Sequence, residues 1–249
     1  MNFTTHARIG AILLCALLGA CASKQDRGYG LGAQAEHEAT LERTNRESAL
    51  PDTPGMYLAL IDKMQSEGMF YASLAHIDAY EKRFNRSADS TLRRADALRQ
   101  TGQAAASRTA YEALLSTPLA ARGYRGLGLL SGQSGDFDAA AAQFAHASDL
   151  APTDAPILSD LGYALLRAGD VEGARVPLMK ASELAPNSTK TMSNVALYLL
   201  ASGQAANAQS LMTQQKFSPN AQQAIADDAK RVADAARSHR PASMASAAL

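Results

Sequence analysis

SDLGYALLRAGDVEGARVPLMKASELAP, Ser159 to Pro186, decides the fold, because nearly every landmark in it recurs at one interval along the chain. Pro118, Pro152 and Pro186 lie 34 residues apart, and SELAP at Ser182–Pro186 echoes SDLAP at Ser148–Pro152. On the same ruler Leu127-Gly128 returns as Leu161-Gly162 and becomes Val195-Ala196, and Gly135 returns as Gly169 and Gly203. Ala140, Ala174 and Ala208 follow, then the bulky positions Phe144, Leu178 and Met212, then Ala147 and Ala181. A fixed period of this size marks stacked supersecondary units, each too small to bury its apolar face alone.

Each unit reads as two antiparallel helices. The chain has 249 residues, 47% of them hydrophobic, with no Trp, few β-branched residues and an apolar fraction dominated by Ala and Leu, a mixture that favours helix over strand. Gly135 and Gly169 end the first helix in a conformation that a Cβ opposes. Gly128 with Ala140, and Gly162 with Ala174, are expected to let the two helices of a unit approach closely. Phe144 and Leu178 are expected to fill the space toward the next unit, and the proline then stops the second helix and redirects the chain. Pro177 breaks the pattern: it removes a hydrogen bond to the Gly173 carbonyl inside a second helix and is expected to kink it. Two less faithful units come earlier, around Gly102 (Ala95, Ser107, Tyr111, Leu114, with one residue missing before Pro118) and around Gly68 (Leu60, Ser73, Ile77, Tyr80).

These landmarks resemble the tetratricopeptide repeat over about two thirds of the chain. The resemblance implies an all-α, right-handed superhelical solenoid of about five helix pairs over residues 54–218. Residues 219–238 follow as a capping helix, with Ala224, Ile225, Ala229, Val232, Ala233 and Ala236 on one face. Residues 239–249 are expected to form a disordered tail.

The N-terminus has a separate purpose. Arg8 and His6 precede an apolar run from Ile9 to Leu18, followed by small residues, which is the layout of a secretory signal over residues 1–20 and too short for a stable membrane span. Leu18-Gly19-Ala20-Cys21 resembles the bacterial lipobox, which implies lipidation of Cys21; cleavage by an ordinary signal peptidase near Ala20 would instead leave a free thiol. Several acyl chains give durable anchoring where one is marginal. Ala22 rather than Asp after the cysteine implies, by similarity to Gram-negative lipoproteins, an outer-membrane anchor with the body facing the periplasm. Residues 21–53 read as a polar, flexible linker with a loose helix around Ala33 to Ala49. Cys15 leaves with the signal, so the mature body has no thiol for a disulfide, metal or nucleophile.

Composition excludes more than it suggests. Lys+Arg and Asp+Glu balance at 24 each, and no basic run interleaved with aromatics points to nucleic acid. GLGLLSG, Gly126 to Gly132, has the look of a phosphate-binding loop but lacks a preceding strand and a following Walker lysine. His37, His76, His146 and His239 lack metal-ligand spacing, so no metal or cofactor is expected. Asp136 with Asp138 and Asp227 with Asp228 read as helix caps or solvated faces, and nothing pairs a nucleophile with a base. The chain is expected not to be an enzyme. Its function is expected on the first-helix faces that line a concave groove, where a partner segment would dock. There the repeat frame places Asp96, Arg99, Arg122, Arg125, Leu129, Tyr163, Arg167, Lys190, Ser193, Asn194 and Leu197. One reading is a soluble charged surface; the other is a partner-binding groove of Arg99, Arg122, Arg125, Tyr163, Arg167, Lys190 and Asn194, in which Arg122, Arg125, Arg167 and Lys190 grip an acidic partner segment and Tyr163 and Asn194 give shape and hydrogen bonds.

The lipobox, linker, repeats and following helix together resemble the TadD family, tetratricopeptide lipoproteins of the tight adherence (Flp) pilus secretion machine. The likeness is strongest from Ser159 to Met212. It implies a scaffold or pilotin-like assembly factor whose protein partners include the secretin or other pilus-assembly subunits, bound without nucleic acid. The type IV pilus pilotin, the lipoprotein subunit of outer-membrane β-barrel assembly, and an adaptor for a cell-wall or polysaccharide synthesis enzyme are the competing assignments.

Overall fold

In a computed structural model of the chain, residues 53–239 are described, and they form eleven helices. The expected signal peptide, Cys21, the linker up to residue 52 and the tail from residue 240 lie outside the described residues. Five antiparallel pairs follow in order: α1 (Pro54–Ser66) with α2 (Phe70–Phe84), α3 (Ala88–Gln100) with α4 (Ala104–Glu112), α5 (Ala120–Gln133) with α6 (Phe137–Leu150), α7 (Ala155–Ala168) with α8 (Arg175–Leu184), and α9 (Thr189–Ala201) with α10 (Ala205–Gln214). A longer helix, α11 (Pro219–His239), ends the described body.

Local chemistry sets the helix ends. Side-chain oxygens of Thr53, Ser87, Asp136, Asp154 and Ser188 accept from backbone N–H groups in the first turns of α1, α3, α6, α7 and α9, satisfying donors that the helix leaves unpaired. Within every pair, the turn between the two helices carries a glycine at positive φ, from +76° at Gly68 to +91° at Gly169. A Cβ in this region meets the backbone, so the glycine spacing of the sequence is the turn spacing of the fold.

Neighbouring first helices pack on one another in the pairs α1–α3, α3–α5 and α7–α9, whereas among the described residues no two second helices pack to that extent. The first helices therefore line the inner face and the second helices splay on the outer one. In one place the inner row opens: α5 and α7 stand apart, with α6 packed deeply against both.

The small residues work differently from the expectation. Gly128 and Gly162 do not chiefly admit Ala140 and Ala174; they admit the bulky positions themselves. A Cβ on Gly128 would lie 2.7 Å from the Phe144 ring, and one on Gly162 would overlap Leu178. Gly126, in the segment that mimics a phosphate loop, gives up its side-chain space to the ring of Tyr111 within helix α5. Phe144 also packs toward the next pair, against Ala164 of α7. In the two early units Ser73, Ile77, Tyr80, Ala95, Ser107, Tyr111 and Leu114 are all buried, and the missing residue shows as the shortened α4.

Pro177 produces no kink within a long helix. Residues 171–174 form turns, held by the Gly173 N–H on Asp170 Oδ1 at 2.8 Å, and regular helix begins only at Arg175. Pro177 thus falls in a first turn, where a missing N–H is harmless. The α11 face is also narrower than expected: Ile225 and Val232 are buried and Ala229 and Ala236 half-buried, but Ala224 and Ala233 are exposed.

Gly135 and Gly169 provide a matched test. A Cβ at Gly135 meets nothing within 4 Å, whereas at Gly169 it would lie 2.8 Å from the backbone of Ala235 and Ala236 in α11. Gly135→Ala should cost about 1–2 kcal/mol from backbone strain alone. Gly169→Ala should cost more and loosen α11, read by urea denaturation and by amide hydrogen exchange of 219–238.

Candidate functional site

The opening between α5 and α7 is a cleft of about 290 Å³. Leu129 and Gly132 of α5, Phe137 and Phe144 of α6, and Tyr163 and Arg167 of α7 line it. Gly132 leaves open the space that a side chain would fill, while Gly128 lets the Phe144 ring come in close, so the floor is aromatic and aliphatic with few polar atoms. The Phe137 and Tyr163 rings meet edge to face, their centroids 6.3 Å apart. The Arg167 guanidinium sits 4.2 Å above Phe137 and donates from Nη1 to the Tyr163 hydroxyl at 2.8 Å.

One end of the gap is closed by charge. Asp160 of α7, 4% exposed, accepts from Arg125 Nε of α5 at 2.8 Å and also receives Lys190 Nζ from the first turn of α9. A single carboxylate therefore ties the first helices of three successive units. Arg122 reaches Asp154 at 3.8 Å across the same gap. At the other end α11 lies against the inner face: Asp228 stands 3.5 Å from Arg167 and accepts from the Tyr163 hydroxyl at 3.4 Å.

Of the sequence-predicted groove residues, the structure brings Tyr163, Arg167 and Lys190 to the cleft and joins Arg125 to them through Asp160. Arg122 lies beside that group and is largely exposed. Arg99 lies in the second unit, donating to the Tyr111 hydroxyl at 3.2 Å, and Asp96 accepts from that hydroxyl at 2.6 Å. Asn194 and Leu197 are buried and not on the open face; the Asn194 amide donates to the Ser159 carbonyl and hydroxyl, stitching α9 to α7.

Asp160 and Asp228 organise this face but were not among the expected groove residues, and Asp228 is not merely a cap or a solvated residue, since it pairs with Arg167 and Tyr163. Asp160 was accessible from the sequence, because it occupies the same repeat position as Asn194. Asp228 was not, because its neighbours are 61 to 65 residues away in α7 and depend on where α11 returns. Asp136 does cap a helix, as expected. Among the described residues no group of three His, Cys, Asp or Glu side chains could hold a metal ion.

Comparison with known proteins agrees with this architecture. Residues 133–191 match the tetratricopeptide repeat family. The "TPR repeat-containing protein PA4299" of Pseudomonas aeruginosa is 32% identical over 161 residues, which cover 65% of this chain; the chain spans only 59% of that relative. The crystal structure of TTC0263 from Thermus thermophilus is similar with a TM-score of 0.59 at 17% identity, over 71% of this chain and 98% of that one. MamA from Desulfovibrio magneticus gives 0.52 at 16% identity, over 77% and 99%. The fold is that of a tetratricopeptide-repeat array, with the repeat itself matched over residues 133–191.

Two measurements check the polar supports of this face. Asp160→Ala should lower unfolding free energy by about 1.5–3 kcal/mol, the range for a hydrogen bond to a charged group, since Arg125 loses its partner while exposed Lys190 loses little. Burial first, then the charge and hydrogen bond of Asp96, hold the Tyr111 phenol well above its ordinary value despite the opposing Arg99. A raised folded value means the contribution is intact below about pH 10 and is lost as the pH climbs beyond it. Alkaline titration of stability should therefore decline above pH about 10, with a shallower decline in Tyr111→Phe.

Proposed function

We propose that this chain is a non-catalytic adaptor that holds a segment of a partner protein in the α5–α6–α7 cleft, and that Cys21 carries lipid anchoring it to the outer membrane, facing the periplasm. The cleft carries this reading. It is an apolar recess on the inner face of a repeat array, floored by Leu129, Phe137 and Phe144, with Tyr163 and Arg167 at its edge. A bulky apolar residue fits the recess, and a nearby carboxylate on the partner would meet Arg125, Lys190 and Arg122. Leu18-Gly19-Ala20-Cys21 and Ala22 support the anchor. The combination of lipobox, repeats and following helix supports a partner among tight adherence (Flp) pilus subunits, the secretin included.

Charge reversal of Arg125 or Arg167 would not separate binding from folding, because each already neutralises a carboxylate of this chain. Gly132→Leu does separate them: a Cβ there meets only Ala140 and Phe137, both at 4.0 Å, so a leucine fills the recess without displacing the core. Crosslinking in intact envelopes should capture pilus-assembly subunits with the natural chain and at least tenfold less with Gly132→Leu at unchanged melting temperature. Undiminished capture refutes the cleft; capture of barrel-assembly components or wall-synthesis enzymes refutes the pilus assignment. Cys21→Ser should move the protein from the membrane to the soluble fraction, and persistent membrane association refutes the anchor.

A further inference from the structure

Helix α11 departs from the packing rule that the rest of the array obeys. Every earlier first helix packs against the second helix just before it, in the pairs α2–α3, α4–α5, α6–α7 and α8–α9. In contrast, α11 packs on α9 and reaches back to α7, both inner-face helices. It lies on the concave side instead of extending the stack.

Its attachment is narrow for its length. Among its residues whose burial is described, only Ile225 and Val232 are buried, joining the apolar cluster of Leu166, Met192 and Val195. Asp228 supplies the polar anchor on Arg167 and Tyr163. The opposite face carries Lys230, Arg231, Asp234 and Arg237, all largely exposed and paired only within α11. Ile225, Asp228, Ala229 and Val232 stand at i, i+3, i+4 and i+7, the footprint of an amphipathic helix laid in a groove. The four-residue connection from α10 contains Lys216 at φ +54°, a left-handed conformation that a lysine rarely adopts.

We propose that the inner face of the last two units is a helix-docking groove, that α11 occupies it in the free chain, and that an amphipathic helix of a partner protein replaces α11 there. That partner helix would carry apolar residues at i and i+7, a small residue at i+4 and an acidic residue at i+3 for Arg167 and Tyr163. Because Tyr163 and Arg167 also border the open cleft, release of α11 joins the two into one longer surface. The inference rests on the inner face being the partner-binding surface, but its test needs no pilus component and reads helix binding in the groove, so its failure is distinguishable from loss of capture by the Gly132→Leu variant of the cleft.

The test uses the mature full chain, its Asp228→Arg variant, and a fluorescein-labelled synthetic peptide of residues 219–238 as the helix probe. In the variant the amides of α11 should exchange faster while those of α7 and α9 keep their protection. Peptide affinity by fluorescence anisotropy should be at least tenfold higher for the variant than for the natural chain, whose groove is filled. A peptide carrying Asp228→Arg should lose that gain. Val232→Asp serves as a second release variant if one charge reversal leaves α11 protected; protection in both overturns the proposal. So does a released face that takes up no peptide, or release that also unprotects α9 and α10, which would make α11 a structural part of the core.

Discussion

The interlocking of missing and bulky side chains is the constraint on which the array depends. Tyr111 stands where Gly126 has no Cβ, Phe144 where Gly128 has none, and Leu178 where Gly162 has none. Each contact brings a first helix onto a bulky residue of a second helix, and tight interiors tolerate neither a void nor an added methyl at such points. The same contacts fix the function-bearing geometry. Because α6 sits so deeply against both α5 and α7, those two inner helices meet less closely than their neighbours do, joined at one end by Arg125 and Asp160, and the cleft opens between them.

Electrostatics then divides the inner face. Read as a row of side chains, the face is basic; in the folded array its cations are already engaged. Arg125 and Lys190 converge on Asp160, Arg167 on Asp228, and Arg122 approaches Asp154. A buried carboxylate beside two cations is tolerated where each oxygen accepts a hydrogen bond, and Asp160 meets that condition through one partner per oxygen. The face is thus an apolar recess with a modest positive rim, suited to a mainly hydrophobic segment carrying one acidic group, and less suited to a strongly acidic peptide.

Much of this was legible beforehand, for local reasons. The turn glycines, the proline punctuation and the number of helix pairs follow from φ preferences and spacing, which tertiary context does not override when five units repeat them. Even the faint early units were readable, since Ser73, Ser107 and Tyr111 hold the same ruler positions as the alanines and Phe144 later. Pro177 was misjudged because a helix boundary, not a helix interior, is what the chain makes at 171–174. Asn194 was assigned to the open face because a helical position identifies a side, not how closely the neighbouring unit covers it.

By itself, then, the amino-acid sequence determined the unit, its period and the order of helices, because each depends on backbone preferences within a few residues or on a spacing that repeats. Only the tertiary structure decided which acids meet which bases, where α5 and α7 part, and that α11 turns back across α7 and α9. Those outcomes depend on contacts between residues tens of positions apart. Their pairing follows from how far each helix leans on its neighbour, a sum of packing contacts that no single repeat contains.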